Sequence, residues 1–436
     1  MISFLSNRLK LISKQFDKFT KGNKQLVINF VSLGTVQLTN FILPLLVYPY
    51  LYKTTGSKNF GSIVYALNVF LYLSTVIDYG YSTSAPKNLP IIKEKEALSK
   101  KISVIIQTKL TLLSICIVLL VICLNFSNIT ISNKNLYLYG LVLLAGNSLL
   151  PTWLFQGMEE MKHLTWINLS AKVLSITLIF LNIKHQEDYI FSLAWIGSAN
   201  FLSGFVGIWY AYKRFGLKMV FASSREVLIE LKGGWYYFLS YFSSVLYSNS
   251  TIIILGFFVS DTSLGNYGIA EKIAFSLWQI ITVFSQVTFP VMCRLYSESR
   301  DKLNNFIKTY HHVFIYIISI LCAAMFMTAN QIISLATNTE SSEAANILRV
   351  LTVFPFIVVL NVPASQLITI NEKQKYIAYA INFFGVIGLI LCYIFTQEYG
   401  AIGAAFTAVS TQFFLTFSLY YILRTKIPEG VFWNKQ

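Results

Sequence analysis

Six charged side chains stand inside long apolar stretches of this 436-residue chain: Lys109, Lys172, Lys272 and Arg349 against Asp78 and Glu271. A charge near the middle of a membrane-spanning helix costs roughly 2.5 to 3.5 kcal/mol, so those that persist usually face a polar interior. Four bases against two acids favour an anionic ligand, and long basic arms suit phosphate in particular. Lys172 and Lys272 are the strongest candidates for cavity-lining cations. Lys109 and Arg349 are added on depth, although both also fit side chains that snorkel to the headgroups. Glu271 and Lys272 are chain neighbours that leave a helix about 100° apart, so each is expected to need a partner on another helix or a wet cavity. Asp78 reads either as a helix-pairing carboxylate or as a coupling switch. No residue pattern calls for a catalytic assignment. Neither the scattered cysteines nor His163, His185, His311 and His312, read at loops or helix ends, have metal-ligand spacing.

The elements that must position these charges are apolar runs long enough to cross a bilayer, which takes roughly 20 residues each. Twelve are expected, near 25–51, 60–84, 102–124, 135–156, 164–182, 189–212, 235–258, 266–293, 309–328, 346–370, 376–396 and 401–423. Of the 34 Lys and Arg residues, 26 fall on the amino-terminal side of these runs, while the opposite loops hold only Lys53, Lys58, Lys134 and Lys184. The positive-inside rule then places both termini in the cytoplasm. The net charge of +15 is topogenic and lipid-facing, and no basic segment forms a nucleic-acid-binding unit of its own. Composition agrees, with 55% hydrophobic and only 12% charged residues. The fold class is an all-α polytopic membrane protein. Its expected plan is an amphipathic helix at 1–24, a lobe of six spans at 25–212, a basic linker at 213–234, a second six-span lobe at 235–423 and a tail at 424–436.

The halves echo one another. Asn59-Phe60-Gly61 opens the second span and Asn266-Tyr267-Gly268 the eighth; Glu159-Glu160-Met161-Lys162 follows the fourth and Glu372-Lys373-Gln374-Lys375 the tenth. Six spans per half make the repeat parallel, the plan of several secondary transporters. Pro151 and Pro363 interrupt corresponding spans, which marks a candidate gate. With Glu159 just beyond the first of them, they join Asp78 and Glu271 as coupling or gating candidates.

Pro151, Trp153, Phe155, Gln156, Gly157, Met158, Glu159, Met161 and Lys162, followed by Asn168 and Lys172, closely resemble the fourth and fifth spans of bacterial O-antigen flippases. So do Asp78-Tyr79-Gly80 with Ser84 and Ala85, and Tyr267-Gly268 with Ala270, Glu271, Lys272 and Ile273. These flippases form the polysaccharide-transporter branch of the multidrug, oligosaccharidyl-lipid and polysaccharide (MOP) exporter superfamily. The resemblance implies two six-helix lobes around a cationic cavity. It implies a substrate, undecaprenyl-diphosphate-linked oligosaccharide, delivered to the periplasmic leaflet by alternating access in the bacterial inner membrane. It also implies no cofactor beyond a coupling proton or Na+, with membrane lipids and polysaccharide polymerase or chain-length regulator proteins as partners. Rival readings are a cation or drug antiporter, which should show a surplus of cavity acids, and an O-antigen polymerase. The longest outer loop, 329–345, has no Lys, Arg or His for such an enzyme.

Overall fold

The computed structural model describes residues 24–126 and 131–427, with side chains from Leu45 onward apart from those at 131, 132 and 247. The expected amphipathic helix and most of the expected tail lie outside the described residues. Everything regular among them is helical. The helices are α1 (Lys24–Asp78), α2 (Tyr81–Asn88), α3 (Lys95–Phe126), α4 (Ile131–Tyr139), α5 (Leu141–Leu149), α6 (Thr152–Gly157), α7 (Met161–Asn182) and α8 (Ser192–Phe215). In the second half come α9 (Ser224–Phe258), α10 (Asp261–Glu298), α11 (Arg300–Phe306), α12 (His312–Met327), α13 (Ala329–Thr337), α14 (Ser342–Ile370) and α15 (Gln374–Lys426).

By length and apolarity, nine helical stretches among the described residues can cross a membrane, or ten if bent α9 is one span. Two are double-length and broken at glycine: α1 at Gly56 (φ 79°) and α15 at Gly400 (φ 59°), in left-handed backbone that side chains resist. The expected count of twelve requires each arm of these two helices to be counted separately. Large apolar side chains such as Val118, Leu119, Phe205, Ile320 and Phe417 are more than half exposed, which suits a lipid-facing surface.

Several helix boundaries differ from those expected. The connection between the halves is only 216–223, because Ser223 and Glu226 form a reciprocal capping box that starts α9 early. The helix carrying the ninth expected span begins at Arg300 rather than 309, since Arg300, Asp301 and Lys302 lie on exposed turns of helix. His311, expected at a helix end, is thereby inside a continuous helical stretch and only 2% exposed. Pro151 breaks its span between α5 and α6, whereas Pro363 is buried within unbroken α14, so the paired interruption is a break in one half only.

The other echo is matched in backbone detail. Glu159 (φ 56°) and Glu372 (φ 58°) are both left-handed, and each is followed by an amide that reaches back five residues, Glu160 to the Phe155 carbonyl and Lys373 to the Ile368 carbonyl. Both spans thus end in the same helix-terminating motif, at a position where glycine is the favoured residue. Glu159→Gly is therefore expected to raise stability by about 0.5 to 1 kcal/mol, read as a higher melting temperature in detergent. If the carboxylate serves coupling, the same variant loses transport while gaining stability.

We call the face bearing the Lys- and Arg-rich loops the basic end. At that end the core of the first half, with Tyr81, Ile102, Trp153 and Leu164, takes in Leu231 and Phe238 of α9, while Met292, Leu303, Leu367 and Leu423 form a core within the second half. At the opposite end one core joins both halves, with Leu51, Phe60 and Val64 packed among Leu264, Tyr267, Leu348 and Ala404. The halves are sealed by one shared core at the end opposite the basic one, and at the basic end α9 of the second half packs into the core of the first.

Candidate functional site

The seal is made by backbone. A Cβ on Gly61 would lie 1.8 Å from the Asp261 carbonyl oxygen, and one on Gly265 would lie 2.1 Å from that of Ser57, so α1 and α10 touch where only hydrogen fits. Beside this contact the Tyr52 hydroxyl donates to Asn266 Oδ1 (2.6 Å), whose Nδ2 donates to Glu343 Oε2 (2.8 Å). A polar chain thus runs from α1 through α10 to α14 across the two halves. The Asn-aromatic-Gly echo is read in the sequence as a sign of an internal repeat; its asparagine and neighbouring glycines also form the seam.

The intramembrane charges are paired more closely than their sequence positions suggest. Lys109, 3% exposed on α3, reaches Asp78 Oδ1 at 3.4 Å. Asp78 Oδ2 also accepts the Ser82 amide (3.1 Å) across the turn made by left-handed Tyr79 and Gly80, and so holds the start of α2. Asp78 thus bonds both to α3 and to the start of α2. Breaking a buried pair by removing one partner costs about 3 to 5 kcal/mol, because the other charge is left uncompensated. Asp78→Asn should therefore unfold markedly more easily, and adding Lys109→Gln should restore most of the loss. If the double variant folds without transporting, Asp78 or Lys109 has a second duty in the cycle.

Glu271 and Lys272, expected to be unable to face one another, form an ion pair with Lys272 Nζ 2.8 Å from Glu271 Oε2. The correction lies in the length of the two arms. The angular rule holds for stiff side chains, but a four-carbon lysine stem can curl back, and pairing offsets the cost of holding two desolvated charges apart. Lys272 Nζ also stands 6.0 Å from the centre of the Tyr48 ring on α1, so this cation faces the first half of the chain.

Lys172 is 8% exposed and shares the buried face of α7 with Leu164, Thr165, Asn168, Ala171, Ser175 and Ile179, at the three- and four-residue spacing of a helix. This face packs on α8 and α1, and Ser175 donates to the Trp195 carbonyl there. Arg349 sits one turn after Asn346, to whose Oδ1 it donates (2.7 Å), near the start of α14 at the end opposite the basic one. That contact fits the snorkelling reading better than a place beside Lys172. Glu159 lies at the basic end, where its neighbour Glu160 takes two hydrogen bonds of 3.1 Å from Arg214. Among the described residues no group of three or more His, Cys, Asp or Glu could hold a metal ion.

The basic end is also tied by α9, which belongs to the second half by chain. Its first turns pair with α3, Lys100 with Glu226 and Lys101 with Glu230, each at 2.6 Å. Tyr79 stacks on Phe238 at 4.8 Å and donates to the Leu231 carbonyl.

With this geometry in view, comparison with known proteins decides the family. The sequence pattern of the family described as "Polysaccharide biosynthesis protein" matches residues 26–296. The chain belongs to that family. It is 27% identical over 406 residues to the protein named "Putative O-antigen transporter" of Escherichia coli (strain K12), covering 91% of this chain and 96% of the relative. The protein of the same name from Shigella dysenteriae is 23% identical over 389 residues, covering 88% and 96%. Among solved structures, the lipid II flippase MurJ in an inward closed conformation superposes with a TM-score of 0.70 at 14% identity, over 92% of this chain and 88% of that one. An inward-facing multidrug resistance MATE family transporter of the MOP superfamily gives 0.65 at 18% identity, over 89% and 94%. The fold of this family member is that of the MOP superfamily. Both of these sequence relatives carry the name of a transporter.

Proposed function

We propose that this transporter is a flippase for undecaprenyl-diphosphate-linked oligosaccharide repeat units of an O-antigen or related surface polysaccharide. It takes them at the basic end and delivers them to the opposite leaflet by alternating access, driven by a proton or Na+. The observation that carries this reading is a buried cation, Lys172, on an interior helix face, in a fold whose halves share one core at the end opposite the basic one. A diphosphate and a sugar chain cannot cross about 30 Å of hydrocarbon unaided. A buried lysine inside the first half offers the phosphate a compensating charge, while the prenyl tail stays in lipid. The Lys- and Arg-rich loops at the basic end support an orientation with both termini cytoplasmic, in the bacterial inner membrane. A polysaccharide polymerase and a chain-length regulator protein are the partners that would consume the delivered unit. The drug-antiporter reading loses support from the pairing of Asp78 and Glu271 with lysines, since neither carboxylate stands open to a cationic cargo.

The test is the leaflet distribution of the lipid-linked repeat unit in cells with and without this protein, probed by a membrane-impermeant lectin or glycosidase. Accumulation on the cytoplasmic leaflet in its absence is the expected result. Normal delivery to the periplasmic leaflet without it would refute the reading.

A further inference from the structure

One buried titratable group plays no part in the charge pairs described so far. His311 is 2% exposed and ends a single turn of π-helix, Ile307–His311, between α11 and α12. Such turns carry an extra residue in the helical ladder and recur at functional positions. Its Nε2 lies 3.2 Å from Gln366 Oε1 on α14. The Gln366 amide is fixed in turn, because its Nε2 donates towards the Ser285 carbonyl (2.8 Å), Ser285 Oγ (3.0 Å) and Thr288 Oγ1 (3.1 Å) on α10. With those donors committed to α10, the amide oxygen faces His311, and the imidazole must carry its hydrogen on Nε2 to donate to it. The other ring nitrogen, Nδ1, is then a bare acceptor, buried and without a hydrogen-bond partner. Buried polar atoms left in this way are uncommon and call for an explanation.

The surroundings join three irregular helices. Gln366 lies one turn after Pro363 on α14, and Thr288 two residues before Pro290 on α10, so each helix lacks a backbone donor near the network that α11 and α12 enter through the π turn. Phe284 of α10 stands edge-on to the imidazole at 5.3 Å, and Phe306 of α11 at 5.8 Å. The titratable neighbour is His312, next in the chain and exposed. The groups facing His311 are thus Phe284 from α10, Phe306 from α11, Gln366 from α14 and His312 from its own helix.

We propose that His311 takes up and releases the coupling proton of the transport cycle. This rests on the transport reading above and names the ion and its site. Asp78 and Glu271 each hold a lysine, so a proton arriving there must break an ion pair. The Nδ1 lone pair of His311 accepts one from water without breaking any contact, and the ring becomes an imidazolium that returns the proton when the cycle reverses. Because Gln366 ties the ring to α10 and α14, charging it strengthens the Nε2–H bond to Gln366 and places a new buried donor at Nδ1, where three irregular helices of the second half meet.

Two measurements test this. First, solid-state NMR of 15N-histidine protein in liposomes is recorded on a variant whose His163, His185 and His312 are replaced by glutamine, leaving His311 as the only imidazole. The signal is expected to pass from the Nε2-protonated form to imidazolium as the medium is acidified from about pH 8 to pH 4, through and below the ordinary histidine value of about 6.5. A signal that stays in one form throughout overturns the proposal. Second, flipping of a lipid-linked oligosaccharide is timed in proteoliposomes with and without a gradient of one pH unit, which is a tenfold proton ratio. Wild type should accelerate up to tenfold, and His312→Gln should do the same. His311→Gln, which preserves the donor to Gln366 but binds no proton, should run at one rate in both conditions. A gradient response in His311→Gln equal to that of wild type, or acceleration of wild type by Na+ and not by protons, overturns the proposal. If wild type moves no lipid-linked sugar under any gradient, the transport reading fails, while the NMR titration still decides whether His311 takes a proton.

Discussion

The double variant Lys172→Gln/Lys272→Gln is expected to insert and fold yet to lose translocation of lipid-linked oligosaccharide by a factor of about 10² to 10⁴. A hydrogen bond to a charged group contributes about 1.5 to 3 kcal/mol, so losing two phosphate contacts amounts to about 3 to 6 kcal/mol. The lectin or glycosidase leaflet assay reads the loss, and membrane fractionation shows that the protein is present. Lys272→Gln also leaves Glu271 without its 2.8 Å partner. The control is therefore Glu271→Gln/Lys272→Gln, which removes both charges. If that pair variant transports normally and Lys172→Gln alone does so too, neither lysine holds the substrate. Full activity in the Lys172→Gln/Lys272→Gln protein would sink the assignment outright.

Gly61→Ala combined with Gly265→Ala is expected to force the sealed end open. Each new methyl would sit about 2 Å from a backbone carbonyl oxygen, which has no rotamer through which to yield. The helices must separate by an ångström or more, which also stretches the link from Tyr52 through Asn266 to Glu343. Transport should fall at least tenfold, a loss of about 1.4 kcal/mol or more in the cycle. Cysteines placed at Ser57 and Thr262 should react faster with an impermeant thiol reagent added from the non-basic side. Unchanged reactivity together with unchanged transport would mean that this contact does not gate the cycle.

Much of the architecture was legible because long apolar runs and sorted basic residues are one-dimensional signals. Boundaries were harder. Arg300, Asp301 and Lys302 read as loop because charge usually marks an exposed connection, yet they occupy the exposed face of a helix that starts early. The site was legible only in part. The depth of Lys109, Lys172 and Lys272 follows from counting residues, but their partners depend on which helices meet. Asp78 and Lys109 are 31 positions apart, and nothing in their spacing announces a contact. The seam at Asn266 was visible as a repeated motif without its polar role. His311 was misplaced because the start of its helix was misplaced.

The ion pair at Glu271 and Lys272 has a consequence for how tightly any anion can be held. A phosphate that reaches Lys272 does not meet a bare cation; it must displace a carboxylate tethered one residue away, at 2.8 Å. The protein thus carries its own competing counter-ion. A tethered competitor has a high local concentration that no change in cytoplasmic composition can dilute. It weakens capture, and it also hastens departure, because Glu271 can reclaim the lysine as soon as the guest loosens. In a carrier of the proposed kind, which must let go of a large cargo on every turn, a built-in rival for the cation favours turnover over affinity.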